Sequence, residues 1–365
     1  MKKLGFGLMR LPRKDNQFDY EKVCDLVDKF IDNGFTYFDT AYVYDGSEDI
    51  FRRTIAERYP RNAYQLADKL PCWHIKTKAD VPVIFNTSLK RCNLDYFDYY
   101  LIHSLQNNRA HEYDLYDCWD FCNEMKKEGK IKNFGFSFHG TPDLLEKTLE
   151  AHPEVDFVQL QINYLDWESD TVFSRKNYEI CRQHDKKIIV MEPVKGGLLA
   201  DVPDMAANTL QKIDQSASFS SLALRFAASL DGVMMVLSGM STIEQVVDNI
   251  NTFDNFVPLN DEEIKIILEA SEIINTSPAI ACTSCKYCIE NCPKLISIPD
   301  VFGAYNNMYR SGMWSAKEQY KKLIDDNVTT PAAECISCRR CESVCPQHLS
   351  ISEQLEKISK IFDNR

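Results

Sequence analysis

The sequence has no long apolar run, no excess of positive charge and no secretion pattern, and each absence excludes a class of protein. No stretch approaches the roughly 18 consecutive apolar residues that a membrane helix needs. The apolar stretch behind Met1-Lys2-Lys3 stops at Arg10, without a small-residue cleavage site. The 54 acidic residues outnumber the 42 Lys and Arg residues, and the net charge of −12 disfavours nucleic acid or an anionic membrane as the main partner. We therefore expect a cytoplasmic protein that binds neither nucleic acid nor membrane.

Evenly spaced cysteines are also missing, although the chain has fourteen cysteines. A secreted protein held together by disulfides would have a short chain with cysteines spread evenly along it. Here eight cysteines follow position 281, in two runs at 282–293 and 335–346 that both read C-x2-C-x2-C-x3-C-P. Two tight groups of thiols indicate metal sites rather than a set of disulfides.

The spacing within these runs favours iron–sulfur clusters. Three closely placed thiolates can hold three irons of one cubane while the fourth reaches a second cluster, and the pattern resembles bacterial-type ferredoxins with two clusters. The resemblance implies one [4Fe–4S] cluster on Cys282, Cys285, Cys288 and Cys345, and another on Cys335, Cys338, Cys341 and Cys292. Structural zinc is the alternative, but zinc sites usually use two CxxC pairs per ion. Arg339 and Arg340, inside the second run, either offset part of a cluster charge of about −2 or form a solvated pair.

Strand-like and helix-like segments alternate from residue 4 to about residue 275. The predicted strands are 4–8, 36–41, 63–69, 98–103, 132–138, 157–163, 187–194 and 233–239. Helical patterns follow them at 18–33, 48–59, 81–92, 115–127, 144–151, 170–184, 216–229 and 243–251. Eight such units in roughly 250 residues are typical of an α/β protein with a closed parallel (β/α)8 TIM barrel. A doubly wound open sheet is the alternative, but no GxGxxG follows the first strand.

The pattern changes near the end of this region. A further helix at 261–274 ends the barrel, and Asn275-Thr276-Ser277-Pro278 is typical of a hinge. We predict a barrel domain at 1–275 and a small α+β ferredoxin-like domain at 276–365, with a helix at 316–324 between its two cysteine runs.

Polar side chains close three of the predicted strands, at the end where such barrels carry their chemistry. Asp39 ends the second strand, Tyr44 lies in the loop behind it, Lys69 ends the third strand and His103 ends the fourth. A tyrosine with an ordinary pKa near 10 is a weak acid at neutral pH, but a nearby ammonium favours its phenolate. Lys69 can supply that charge, Asp39 can keep Lys69 protonated, and His103 can hydrogen-bond a carbonyl oxygen.

This set, with the Asp-Thr-Ala-x-x-Tyr stretch, resembles the aldo-keto reductase superfamily over about residues 1–275. The resemblance implies NAD(P)H bound by a (β/α)8 barrel, and a catalytic tetrad that here is Asp39, Tyr44, Lys69 and His103. It predicts hydride transfer between nicotinamide and a small carbonyl or alcohol substrate, with Tyr44 as general acid for reduction.

The same resemblance implies cofactor contacts. They are Gln161 for the nicotinamide carboxamide, Ser137 after strand five, and Ser238, Gly239, Ser241, Gln245 and Asn249 for the adenosine phosphate. Gly239 and Gln245 stand where basic residues commonly grip the 2′-phosphate, so both NADPH and NADH stay open. Lys195 and Gly196, past strand seven, are candidates for the pyrophosphate, with a solvated loop lysine as the alternative.

Two functional interpretations follow. The first is an NAD(P)-dependent oxidoreductase whose clusters serve electron transfer, sensing or structure. Clusters move single electrons and nicotinamide moves hydrides, so joining them normally requires a flavin or a radical, and a flavin in the altered cofactor cleft is a variant of this interpretation. The second is an electron-transfer or redox-sensing protein in which the barrel is a docking platform for a redox partner.

Overall fold

A closed barrel of eight parallel strands dominates the computed structural model, which describes residues 2–15, 17–254, 256–276 and 279–363. The strands are β1 Leu4–Gly7, β2 Arg13–Lys14, β3 Gln17–Phe18, β4 Tyr37–Asp39, β5 Gln65–Leu70, β6 Phe97–Leu105, β7 Ile131–Phe138, β8 Phe157–Gln161, β9 Lys187–Met191 and β10 Val233–Ser238. β2 and β3 form a small antiparallel hairpin, and the others close in the order β1-β10-β9-β8-β7-β6-β5-β4. The predicted TIM barrel is confirmed.

Helices connect the strands and continue beyond the barrel. They are α1 Tyr20–Asp32, α2 Ser47–Phe51, α3 Asp80–Cys92, α4 Ala110–Leu115, α5 Cys118–Lys127, α6 Pro142–Ala151, α7 Ser174–Gln183, α8 Asp204–Leu210, α9 Phe219–Ser229, α10 Ile243–Asp254, α11 Asp261–Asn275, α12 Ile298–Asp325 and α13 Ile351–Phe362. None of the helices in the described residues combines the length and the apolar character needed to cross a membrane.

The first helix shows how the local sequence sets these elements. Asp19 caps α1, because its side chain accepts a hydrogen bond from the backbone N–H of Lys22 at 3.3 Å. Val23, Leu26 and Phe30 recur at helical spacing and are buried. The sequence pattern thus determines both where α1 begins and which face it packs on the barrel.

The strand period determines where the polar residues of the barrel lie. Buried side chains from six barrel strands form one apolar cluster of Tyr37, Ala67, Tyr99, Leu101, Phe157, Ile189, Met235 and Leu237. Because side chains alternate along a strand, a residue two positions further on points to the same face. Asp39, Lys69, His103 and Gln159 therefore follow members of this cluster toward the carboxyl ends of their strands.

Contacts divide the chain into two compact units. One comprises Met1–Val194 and Ala207–Glu269, and the other, here called the cysteine unit, comprises Lys195–Ala206 and Ala270–Arg365. Of the predicted hinge, Ser277 and Pro278 lie outside the described residues.

The cysteine unit has a core of its own, which includes Ile298, Phe302, Tyr305, Tyr320 and Leu355. Its long helix α12 is broken at Gly312, whose φ of 84° is left-handed. Between 279 and 363 the described residues outside the α-helices form two short 3-10 helices, Ala332–Glu334 and Glu342–Val344, together with turns and irregular segments that carry the cysteines.

Candidate active site and metal centres

Lys69 is the centre of the polar group inside the barrel. Its Nζ lies 2.5 Å from Asp39 Oδ1 and donates to the Thr40 carbonyl oxygen at 2.6 Å. The same Nζ lies 4.9 Å from the centroid of the Tyr44 ring. Lys69 and Asp39 are buried, whereas Tyr44 is partly exposed. The structure therefore brings Asp39, Lys69 and Tyr44 together, with only the tyrosine open to solvent.

His103 completes this group. The centroid of its ring is 5.9 Å from that of the Tyr44 ring, and the two rings are nearly perpendicular. The Trp73 ring also contacts His103, with the ring centroids 5.2 Å apart. Burial, followed by the charge of Lys69, lowers the pKa of His103 well below its usual value. His103 is therefore a neutral imidazole at pH 7. Its Nδ1 is buried without a hydrogen-bond partner among the described residues.

Gln159 is a member of this site that the sequence interpretation missed. Its Nε2 donates to Asp39 Oδ2 at 3.0 Å, so both carboxylate oxygens of Asp39 are engaged. Gln159 precedes Gln161 by two residues in β8 and points to the same face, which is the only signal in the sequence that could have indicated it.

A second buried polar group lies behind Lys69, on the outer face of β5. The backbone N–H of Lys69 donates to Asp68 Oδ1 at 2.7 Å. Glu48 Oε2 pairs with Arg91 at 2.8 Å, and Cys92 contacts Asp68. Burial and then the nearby charge of Glu48 raise the pKa of Asp68 well above its usual value. The sequence interpretation did not anticipate this group.

The residues predicted to contact the adenosine phosphate are connected by short hydrogen bonds. Asn249 Nδ2 donates to Ser238 Oγ at 2.6 Å, and the backbone N–H of Ser241 donates to Gln245 Oε1 at 2.7 Å. Ser241 Oγ donates to the Arg10 carbonyl oxygen at 2.6 Å. Gly239 lies against the Arg10 side chain. These contacts bring the five predicted residues together at the end of β10 and the start of α10.

Ser137 and Gln161 are both engaged inside the protein. Ser137 Oγ accepts the backbone N–H of Ser104 at 2.7 Å, at the point where the β6–β7 register shifts beside His103. Gln161 Nε2 donates to Asp166 Oδ2 at 2.9 Å, and Asn163 donates to the same oxygen at 2.9 Å. Both residues thus stabilise the carboxyl ends of their strands.

Lys195 and Gly196 lie in the cysteine unit. The Lys195 ammonium is buried and donates to Gln347 Oε1 at 2.9 Å, two residues past Cys345. Gly196 packs so closely on Thr283 that an added Cβ would lie 2.7 Å from the Thr283 Cα. The described Lys195 is therefore not a solvated loop residue.

The first cavity of the cysteine unit encloses about 320 Å³, part of which is open to solvent. Its lining includes four cysteines, Cys282, Cys285, Cys288 and Cys345. Three come from the first run and one comes from the end of the second run. Burial raises the pKa of the Cys288 and Cys345 thiols, so metal binding there must displace protons.

The second cavity, of about 330 Å³ including space open to solvent, is lined by the other four cysteines, Cys335, Cys338, Cys341 and Cys292. None of the fourteen cysteines forms a disulfide. Four thiols around each of two cavities are a donor set that suits an iron–sulfur cubane. The residues present therefore fit such a group in each cavity.

Comparison with known protein families assigns both parts of the chain. Residues 3–272 match the Aldo/keto reductase family, and residues 281–350 match the 4Fe-4S dicluster domain. An uncharacterized oxidoreductase from Bacillus subtilis is 24% identical over 301 residues, which are 72% of this chain and 90% of that protein. The NADPH-dependent alpha-keto amide reductase of Saccharomyces cerevisiae is 26% identical over 164 residues, which are 44% of this chain and 50% of that protein.

Solved structures share the barrel. An aldo-keto reductase from Bacillus halodurans in its holo form has a TM-score of 0.61 and 24% identity, covering 73% of this chain and 91% of that chain. An aldo-keto reductase from Klebsiella pneumoniae in complex with NADPH has a TM-score of 0.59 and 21% identity, covering 76% of this chain and 92% of that chain. At this level of identity the likeness shows the fold.

Proposed function

Because this chain belongs to the aldo/keto reductase family and carries a C-terminal 4Fe-4S dicluster domain, we propose that it transfers hydride between NAD(P)H and a small carbonyl or alcohol substrate. The observation that carries the proposal is the contact of Lys69 with both Asp39 and the Tyr44 ring at the carboxyl ends of the strands. We further propose that the protein is cytoplasmic and that its domains are 1–275 and 276–365.

The residues of the tetrad have separate tasks in this proposal. The Lys69 ammonium favours the phenolate of Tyr44, which eases proton donation from the Tyr44 hydroxyl to the substrate oxygen. Asp39 and the Thr40 carbonyl hold that ammonium in place. His103, neutral at pH 7, can donate one hydrogen bond to the same substrate oxygen and so orient it. Trp73, beside His103, can exclude water from the reacting carbonyl.

The cofactor proposal concerns the segment at β10 and α10. Bound NAD(P)H supplies the hydride. Ser238, Ser241 and Asn249 offer hydroxyl and amide groups beside the N-terminus of α10, where an anionic phosphate is favoured. The partly exposed Arg10 guanidinium, 3.4 Å from Glu192, adds a positive charge near Gly239. NADPH is our first choice, because the Klebsiella pneumoniae structure contains it and the yeast relative is named for it.

We also propose two [4Fe–4S] clusters, one for each cysteine-lined cavity. The donor sets are those described above, in which each run contributes three thiols to one cavity and its last thiol to the other. Bound clusters supply one-electron chemistry. A flavin that would link this chemistry to hydride transfer is the second candidate cofactor.

The Tyr44→Phe variant tests the catalytic proposal. The ring stays and only the hydroxyl is lost, so kcat should fall by about 10²–10⁴-fold while nicotinamide binding is retained. Activity is followed as oxidation of NADPH with aldehyde substrates. Tyr42→Phe, two residues away and packed on His74, is the matched control and should keep its activity. Equal rates for both variants would show that Tyr44 is not the proton donor.

Metal analysis of anaerobically purified protein tests the cluster proposal. We expect about eight irons and eight acid-labile sulfides per chain, with a brown colour. Extraction of the same sample distinguishes flavin from nicotinamide. A colourless protein that contains zinc and negligible iron would overturn this assignment.

A further inference from the structure

Cys338 differs from every other cysteine in its exposure. Among the fourteen cysteines it alone is exposed, while the other seven cluster candidates are buried or partly buried. It lies on the wall of the second cavity. A cluster bound in this cavity would therefore reach the protein surface at Cys338, and the surface around Cys338 decides which molecules can approach it.

The rim of this surface is apolar and basic. Two large apolar side chains beside the cavity face solvent, Ile336 at 58% and Leu295 at 75% of their maximum exposure. The charged side chains that line the cavity are Lys294 and Arg339, and Arg340 is exposed next to them. We call these five residues with Cys338 the rim.

Two of the acidic groups near the rim are engaged, whereas Glu290 and Glu353, next to the lining residues Asn291 and Ser352, are exposed. Glu334 lies 3.6 Å from Lys294. Glu342 accepts the backbone N–H of Ser352 at 2.8 Å and lies 3.9 Å from Arg339, mostly shielded from solvent. The charges most open to solvent at the rim are consequently Arg339 and Arg340. They form an exposed basic pair in a chain whose net charge is −12.

We propose that the rim is the docking surface for a small acidic one-electron carrier protein of the ferredoxin class. Opposite charge steers such a partner to the rim, and the exposed Ile336 and Leu295 supply a small apolar contact. Interfaces of electron-transfer complexes are characteristically small and transient, which fits a rim of this size. The inference rests on the proposed clusters and adds to them the chemistry of the partner.

The transfer itself is simple to balance. A cluster held by Cys292, Cys335, Cys338 and Cys341 would accept one electron from the reduced carrier, so that the carrier would be oxidised by one electron and the cluster reduced by one. No bond forms or breaks and no proton moves. The residues of the rim act only by holding the two proteins together, which makes Arg339 and Arg340 positioning residues.

The test uses full-length, iron-loaded protein and a purified acidic [2Fe–2S] ferredoxin as probe. Stopped-flow absorbance follows oxidation of the reduced ferredoxin, and calorimetry measures binding of the oxidised pair. The Arg339→Glu/Arg340→Glu variant should slow electron transfer at least about tenfold at low ionic strength, and the difference should shrink as salt screens the charges. Lys265→Glu, an exposed charge reversal on α11, is the matched control and should behave as wild type.

Two outcomes would overturn the proposal. One is an unchanged rate and affinity in the double variant, and the other is tighter binding, measured by calorimetry, of the basic carrier cytochrome c than of the acidic ferredoxin. Iron and sulfide are measured on every sample. If wild-type protein itself lacks iron, the cluster proposal is wrong. If every sample contains its full iron but either of the two outcomes above is observed, only the docking proposal is wrong.

Discussion

Lys69 illustrates how a buried charge is maintained at the centre of this site. Removing an ammonium from water costs several kcal/mol, and an ion pair offsets that cost only when its geometry is good and its remaining protons are satisfied. Asp39 and Thr40 accept from two of the three N–H groups of Lys69, and Gln159 in turn satisfies the second oxygen of Asp39. The ammonium is therefore held in one position beside Tyr44, which is what its proposed role requires.

His103 makes the stability of the protein depend on pH. Burial holds the folded-state pKa of His103 well below its usual 6.5, whereas the unfolded chain binds a proton at about that value. The unfolded state therefore binds more protons below pH 6.5, and the stability contributed by neutral His103 is lost as the pH falls through that value. His103→Gln cannot be protonated, so its thermal midpoint should decrease less between pH 7 and pH 5 than that of wild type.

The control for this prediction is His111→Gln, since His111 is exposed on α4. It should show the wild-type decrease. Thermal unfolding monitored by circular dichroism at both pH values is the measurement. If His103→Gln and wild type lose equal stability on acidification, His103 is not held neutral in the folded state.

At the residue scale, the sequence predicts which residues lie together where position along a strand is sufficient information. Asp39, Lys69 and His103 were placed near one another because each lies toward the end of a recognisable apolar strand, and the structure brings them together with Tyr44. Their catalytic roles stay a prediction. Gln159 was missed because its only sequence signal is its two-residue spacing from Gln161 in β8, which does not reveal its partner Asp39. Lys195 was a candidate for the pyrophosphate, but its ammonium hydrogen-bonds Gln347, 152 positions away, and no local pattern reports such a contact.

The segment Lys195–Ala200 is an element whose shape depends on glycine. Lys195, Gly196 and Gly197 all have positive φ, of 45°, 65° and 98°. Left-handed backbone costs a residue with a side chain roughly 1–2 kcal/mol, which two glycines avoid. The turn brings Gly196 against the backbone of Thr283, next to Cys282 in the first cavity. Its geometry thus supports the cysteine-bearing segment.

Gly196 and Gly197 provide a matched pair to test this role. Gly196→Ala places a Cβ 2.7 Å from both the Cα and the carbonyl oxygen of Thr283, whereas Gly197→Ala meets nothing within 4 Å. Both variants carry the backbone strain, but only Gly196→Ala must displace the Thr283 segment. We expect Gly196→Ala to lower iron content and thermal midpoint clearly more than Gly197→Ala. Similar iron contents and thermal midpoints for the two variants would show that the contact with Thr283 contributes little to cluster binding or stability.

At the element scale, the barrel was more predictable than the segments around it. Each barrel strand is an apolar run bounded by turn residues, so its existence follows from composition and period. Helix α13 was not predicted, although Ile351, Leu355 and Ile358 recur at helical spacing and are buried. The hairpin of β2 and β3 has only two residues in each strand, which is too short for alternation to be recognised.

At the scale of the whole molecule, two kinds of redox chemistry belong to different compact units. The tetrad lies in the unit formed by Met1–Val194 and Ala207–Glu269, and all eight cluster candidates lie in the cysteine unit. Proton and hydride transfer to a carbonyl need a proton donor and a hydride donor only. The proposed tetrad and cofactor segment provide for both without a cluster.

Removal of the metal tests whether the two chemistries are separable. Treating anaerobic protein with ferricyanide and a chelator should remove the clusters. The stripped protein should retain most of its original rate of NADPH-dependent carbonyl reduction, because a cluster cannot accept a hydride. Iron analysis confirms the loss, and fluorescence titration confirms that nicotinamide still binds. Tyr44→Phe is the reciprocal control, since it should lose turnover but keep its full iron content. If the stripped protein binds nicotinamide but no longer turns over, electrons from the clusters must enter the reaction. A bound flavin or a one-electron mechanism would then replace the separable scheme.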